Sequence, residues 1–206
     1  MKVLLFLLVV LTAAFFVADR IAENTAEKRI EERLASSVEN AEGLQVDVTG
    51  ALFLPQVLSG GFDEVTVSID SIERRGLTVD DLRVALRDVE FSLGDLLKDA
   101  GAVTVGGGKG RGSISERSLN AALPRGGVEA EIVLDQAATA TVQGVSAEVE
   151  EISVDKSGTI IFDAPPLPPF GLDLPATVAS IRYSGARVSN NRLVVDLRVR
   201  RGSLNL

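Results

Sequence analysis

Between Gly61 and Phe91 the chain keeps up a two-residue alternation that a β-sheet accommodates and a helix does not. Val65, Val67 and Ile69 alternate with Thr66, Ser68 and Asp70, and Leu82, Val84 and Leu86 alternate with Arg83, Ala85 and Arg87. Successive side chains of a strand point to opposite faces, so each run has one aliphatic and one polar face. The same beat starts earlier, after Gly43, with Leu44, Val46 and Val48. It returns over 128–134, 138–142, 145–149 and 159–162, with Gly127, Gly144 and Gly158 between the runs, which predicts successive antiparallel strands of a meander. Two last strands, over 178–188 and 192–199, meet at Asn190-Asn191, residues that tolerate the positive dihedrals of a tight hairpin. Leu193, Val195, Leu197 and Val199 line one face of the second.

The connections are read from their breakers and caps. Leu52 to Leu58 gathers large apolar residues in a loop or short helical turn, placed to cap a core or to form a mouth. Phe91, Leu93, Leu96 and Leu97 predict a short helix, and Ser115 is placed to cap a second over 116–123, ended by Pro124. The glycines from Gly106 to Gly112 lack the spacing of a phosphate-binding loop, and no Ser or Thr follows Lys109, so they are expected to form a flexible strand connection. The proline-rich stretch 164–175 is expected to be an extended connector outside the sheet, because proline donates no ladder hydrogen bond.

Three segments follow from this pass. Residues 1–18 hold Lys2 and then an apolar run from Val3 to Ala18, which as a helix spans roughly 24 Å against a hydrocarbon core of roughly 30 Å. The run is expected to be a signal-anchor or a signal peptide. Residues 19–42 are expected to form an amphipathic helix with Ile30, Leu34 and Val38 on one side, and 43–206 a single β-rich domain.

Composition removes most chemistry. The 206 residues include no Cys and no His, which takes away thiolate nucleophiles, the commonest general base and the usual zinc ligands. Serine without histidine has no triad base, and adjacent carboxylates such as Asp80-Asp81 and Glu150-Glu151 point to opposite faces of a strand. No loop is dense enough in Asp, Asn and Gly for calcium. No catalytic residue, metal or cofactor is expected, and no motif identifies a protein partner. A net charge of −8, without a basic stripe interleaved with aromatics, argues against nucleic acid.

Binding of an aliphatic ligand needs none of those groups. It needs apolar walls, and each buried methylene contributes about 0.8 kcal/mol. Candidate lining residues are Phe62, Val65, Val67, Ile69, Leu82, Val84, Leu86, Ile132, Leu134, Phe170, Leu172, Leu193, Val195 and Leu197. Cations at a rim would select an anionic head group, and Arg74, Arg75, Arg198 and Arg200 are the candidates, with Lys109, Arg111 and Arg201 as further basic positions. The rival reading is a structural envelope module whose aliphatic faces pack only on one another and which acts through protein partners.

Four short motifs in fixed order carry a resemblance. They are Ala18-Asp19-Arg20 after the apolar run, Gly61-Phe62-Asp63-Glu64-Val65, Ile114-Ser115-Glu116-Arg117-Ser118-Leu119-Asn120, and Pro166-Leu167-Pro168-Pro169-Phe170-Gly171-Leu172. This order resembles the actinobacterial LmeA family of phospholipid-binding envelope proteins, over most of the chain after Asp19. The resemblance implies an α+β fold, mostly an elongated, twisted antiparallel sheet similar to tubular lipid-binding (TULIP-like) proteins, with an apolar cavity. It also implies an anionic phospholipid of the phosphatidylinositol type as ligand, a membrane or cell-envelope setting outside the cytoplasm, and no catalytic residue. The additional proline in the connector and the Gly106 to Gly112 stretch depart from the pattern.

Overall fold

A computed structural model of the chain describes residues 24–25, 27–28, 31, 41–50, 52–74, 76–92, 102–124, 129–135, 137–174 and 181–205. The expected signal-anchor or signal peptide, most of the amphipathic helix and, beyond Phe91 and Ser92, the short helix expected from Phe91 to Leu97 lie outside those residues. Residues 24, 25, 27, 28 and 31 are helical. Among the described residues no helix is long and apolar enough to cross a membrane.

Among the described residues the architecture is a large antiparallel sheet with two small three-stranded sheets, two short helices between strands besides the helical residues already named, and no closed barrel. The large sheet begins at one edge with β1 (Ala41–Glu42) and β2 (Gln45–Thr49), both paired to β3 (Gly61–Arg74). It continues through β4 (Leu77–Glu90) and β5 (Ala102–Ser115) to β13 (Arg192–Val199) and β14 (Gly202–Asn205), which pair with successive parts of β5. β12 (Ile181–Ser189) closes the other edge. β3, β4 and β5 each run 14 residues, which at the usual rise makes a sheet about 45 Å long.

Register turns the sequence alternation into rows that cross the sheet. Val46, Val67, Val84, Gly110, Leu197 and Tyr183 stand side by side, and so do Val48, Val65, Leu86, Gly108, Val199 and Ile181. Between these rows, on the other face, runs Asp47, Thr66, Ala85, Lys109, Arg198 and Arg182. One face is therefore aliphatic from edge to edge, and its reverse is polar.

The apolar face does not keep period two throughout. Along one line across the sheet the inward residues step by three, from Val65 to Phe62 in β3, Leu86 to Val89 in β4 and Gly108 to Val105 in β5. The register of β3 against β4 does not slip there, so both strands kink together. Asp88 (φ 51°) and Gly107 (φ 153°) provide the reversal of side on that line. A second line passes Asp81 (φ 51°), where a Cβ on Gly112 would meet both Val79 and Leu82, three apart on one strand. There β4 holds one more residue than β5, seen as the register shift between Asp80 and Arg83.

The 106–112 segment, expected to be a flexible connection, is instead the interior of β5 at the centre of the sheet. Glycine is required there by close approach: a Cβ on Gly108 would lie 2.5 Å from the Ala85 carbonyl oxygen, and one on Gly110 would lie 3.0 Å from Val84 Cγ2 and 3.2 Å from Leu197 Cδ1. Side chains of β4 and β13 close over the bare strand.

Each end of the apolar face has its own cover. At one end α1 (Phe53–Ser59) drops Phe53 onto Val65, Val89 and Val105, and Phe53 stacks on Phe62 at 5.5 Å. Pro55 falls in the first turn of α1, where its missing N–H costs nothing, and Gly60 ends the helix in the left-handed region. At the other end lie α2 (Glu116–Ala122) and the two small sheets, β6 (Ala130–Leu134) with β7 (Ala138–Val142) and β8 (Val145–Glu148), and β9 (Glu151–Val154) with β10 (Thr159–Asp163) and β11 (Phe170–Asp173). The expected meander is thus split in two. Part of the expected proline-rich connector joins the second small sheet, because Phe170-Gly171-Leu172-Asp173 is free of proline and pairs with β10.

The Ser115 to Asn120 motif is a set of attachments. Ser115 Oγ accepts the Ser118 N–H, and Ser118 Oγ both accepts from the Thr78 N–H (2.7 Å) and donates to the Thr78 carbonyl (3.0 Å). Asn120 clamps both backbone groups of Ile132, and Glu116 accepts the Leu134 N–H.

If β5 needs its missing side chains, Gly108→Ala lowers stability in urea unfolding by about 1–3 kcal/mol through overpacking. Gly185→Ala, where a Cβ would meet nothing within 4 Å, stays within about 0.5 kcal/mol.

Candidate lipid-binding site

The sequence-derived lining residues divide by depth. Ile132, Leu134, Leu172 and Leu193 are buried in the cluster under α2 and the small sheets, together with Val195; Phe170 packs at its margin and stacks on Phe162 at 5.4 Å. These side chains fill each other's space. Val65 is buried in the cluster under α1, and Ile69 and Leu197 are buried between the two ends. Phe62, Val67, Leu82, Val84 and Leu86 are only half-buried; Phe62 lies against Phe53 of α1, and Val67, Val84 and Leu86 lie between the two covered ends.

The two rows containing Val84 and Leu86 end at β12, beside a surface hollow of about 460 Å³. Its apolar wall takes Val154 and Tyr183 from the rim of one core cluster, and Ile181 and Val199 from the other. Four cations line it as well, Lys156 from the β9–β10 turn, Arg182 from β12, and Arg198 and Arg200 from the end of β13, against one acid, Asp155. The hollow is therefore amphipathic and open to solvent, and it sits where the apolar face reaches the sheet edge.

Asp155 is the acid of this hollow, and its carboxylate is engaged within its own turn. It accepts the Ser157 N–H (2.9 Å), the Ser157 hydroxyl (2.7 Å) and the Thr159 N–H (2.9 Å). The Ser157 hydroxyl, followed by the Thr159 amide, holds its pKa below the ordinary carboxylate value. Arg182, Arg198 and Lys156 make no ion pair with any described residue.

A second hollow of about 470 Å³ lies beside Phe62, Val89 and Phe91, next to the end of α1. Its charged residues are Asp63, Asp88 and Glu90, a set that repels an anion. Of the head-group candidates, Arg198 and Arg200 come together in the first hollow. Arg75 and the side chain of Arg74 lie outside the described residues. Lys109, beside Arg198 on the polar face, and Arg111 do not line the hollow.

Arg182, Lys156 and Tyr183 were not foreseen, and the pairing of β12 with β13 explains why. Counting back from the Asn190-Asn191 turn would set Arg198 opposite Tyr183, but an irregularity between Tyr183 and Gly185 moves Arg198 opposite Arg182. The φ values of Asn190 (52°) and Asn191 (58°) are those expected of the tight turn.

Among the described residues no group of His, Cys, Asp and Glu could hold a metal ion. The first hollow thus sets an apolar wall beside a group of cations. The chain matches the family of LmeA-like phospholipid-binding proteins over residues 17–203, nearly its whole length, and it belongs to that family. No curated protein and no solved structure matches it.

On the polar face Asp196 binds two guanidinium groups, Arg111 at 2.8 Å and Arg187. Partial burial pushes its pKa up, but the hydrogen bonds and charges of Arg111 and Arg187 outweigh this and hold it below the ordinary 3.8. A depressed folded-state value means that the stabilisation is complete above the unfolded value and is lost as pH falls through the folded one. The loss in urea midpoint caused by Asp196→Asn is therefore largest at neutral pH and shrinks as pH drops below 3.8. A gap unchanged down to strong acid would remove the ion pairs from the stability of this face.

Proposed function

We propose that this protein binds or carries one phospholipid outside the cytoplasm, in cell-envelope lipid or lipoglycan metabolism, without acting on it as an enzyme. The carrying observation is the amphipathic hollow at the end of two uninterrupted apolar rows. The phosphate lies among Lys156, Arg182, Arg198 and Arg200, and the acyl chains run over the half-buried strip formed by Val67, Val84 and Leu86. From β12 to β4 is three strand spacings, about 14 Å, which is within the reach of an ordinary acyl chain. Family membership supports the lipid class. The cationic set favours an anionic head group, and phosphatidylinositol is the proposed type. The apolar run from Val3 to Ala18 supports an exported or membrane-anchored setting.

Organic extraction of the purified protein followed by mass spectrometry tests this reading, with phospholipid near one per chain as the expected result. Arg182→Gln combined with Arg198→Gln lowers retention of anionic phospholipid by about tenfold or more, since a charge-assisted contact contributes about 1.5–3 kcal/mol. Neutral phospholipid is affected less. Leu86→Gln lowers both, while Val133→Gln, at an exposed position of β6, lowers neither. A lipid-free protein that takes up no phospholipid would favour the purely structural module.

A further inference from the structure

The polar face of the large sheet carries a charge pattern that internal packing does not account for. Lys109, Arg198 and Arg182 stand side by side on β5, β13 and β12, all exposed. In the neighbouring row Arg83 stands beside Arg111. Adjacent strands lie about 4.8 Å apart, and like charges directly opposite each other are destabilising. Asp196 is the acid within β12 and β13, and it is already shared by Arg111 and Arg187. Arg87 pairs with Glu64 at 3.5 Å, whereas Arg83, Lys109, Arg182 and Arg198 have no ion pair among the described residues.

This chain is not short of acids, since its net charge is −8. On the central strands they gather at the two kinked lines, where Asp63, Asp88, Asp70 and Asp81 are exposed, and they leave the cations alone between them. α1 and α2 pack on the opposite, apolar face, and Arg83, Lys109, Arg182 and Arg198 are all exposed.

We infer that the polar face is a docking surface for an anionic lipid bilayer, with the row Lys109, Arg198 and Arg182 and the adjacent Arg83 as its contact residues. The choice of partner rests on the phospholipid-binding reading. Arg182 and Arg198 belong both to the row and to the hollow, so seating this face on a bilayer brings the hollow's mouth to head-group depth. Nucleic acid fits less well, because these rows hold no aromatic side chain on which a base could stack, and Tyr183 packs toward the core instead. Basic residues held near an anionic leaflet contribute about 1 kcal/mol each.

The absence of cysteine makes a single-label experiment clean. The full chain carrying Ala85→Cys, on the polar face beside Lys109, is labelled with a fluorophore and reconstituted with phosphatidylcholine vesicles that contain a head-group quencher, with or without phosphatidylglycerol. Quenching is expected only with phosphatidylglycerol, and it weakens as salt is raised. Arg83→Gln with Lys109→Gln, two positions outside the hollow, lowers the docking equilibrium about thirtyfold by removing two basic contacts. Arg83→Lys with Lys109→Arg restores it. Phospholipid recovered by extraction stays at the wild-type level in both variants.

Equal quenching on neutral vesicles, or none lost in the glutamine variant, overturns the docking surface while leaving lipid binding intact. Equal quenching by quencher-labelled duplex DNA at the same salt overturns it in favour of a polyanion site. Loss of extractable phospholipid from the wild type is a failure of the binding reading itself.

Discussion

Everything in this molecule depends on how closely β4 and β13 approach β5. With a Cβ at Gly108 or Gly110, the middle strand would collide with the Ala85 carbonyl or with Val84 and Leu197, and the two halves of the sheet would be held apart. Without it, the aliphatic side chains of the flanking strands meet over the gap, and the rows from β2 to β12 are unbroken. The cost of glycine in a strand, lost conformational entropy and no side chain to pack, is offset by that continuity. The amphipathic hollow exists because those rows reach the sheet edge.

Much of the sheet was legible in the sequence. The faces of β3, β4 and β13 follow from Val65 to Ile69, Leu82 to Leu86 and Leu193 to Val199, because period two has one structural meaning when one face is buried. The glycine run was misread since the reason for it lies in neighbouring strands, distant in sequence. The kinks were hidden for a related cause. They turn on Asp81 and Asp88, non-glycine residues at positive φ, whose strain only tertiary contacts impose. β11 had an overlooked signal, the proline-free Phe170-Gly171-Leu172-Asp173 inside a proline-rich stretch.

The site was legible to a smaller degree. Arg198 and Arg200 stand out as cations at the end of an apolar strand, and they do border the hollow. Their companions Arg182 and Lys156 arrive through a strand irregularity and a turn that no periodicity announces. Several candidate lining residues, Ile132 and Leu193 among them, prove to be core, because alternation says which face a side chain takes and nothing about what covers that face. Motifs that carry the family resemblance behave similarly. Ser115, Ser118 and Asn120 attach α2 to β4 and β6, so the signature marks how the fold is assembled and stands apart from the cation-rich hollow.

The edge at β2 has its own consequence. Glu27 and Glu31 accept the backbone N–H groups of Val48 (3.0 Å) and Val46 (2.9 Å), so carboxylates take the place that a neighbouring strand would fill. An uncovered margin on a long aliphatic sheet is a template for fibril growth by a second copy of the same chain. Two glutamates laid along that flank occupy the donors that such a copy would need.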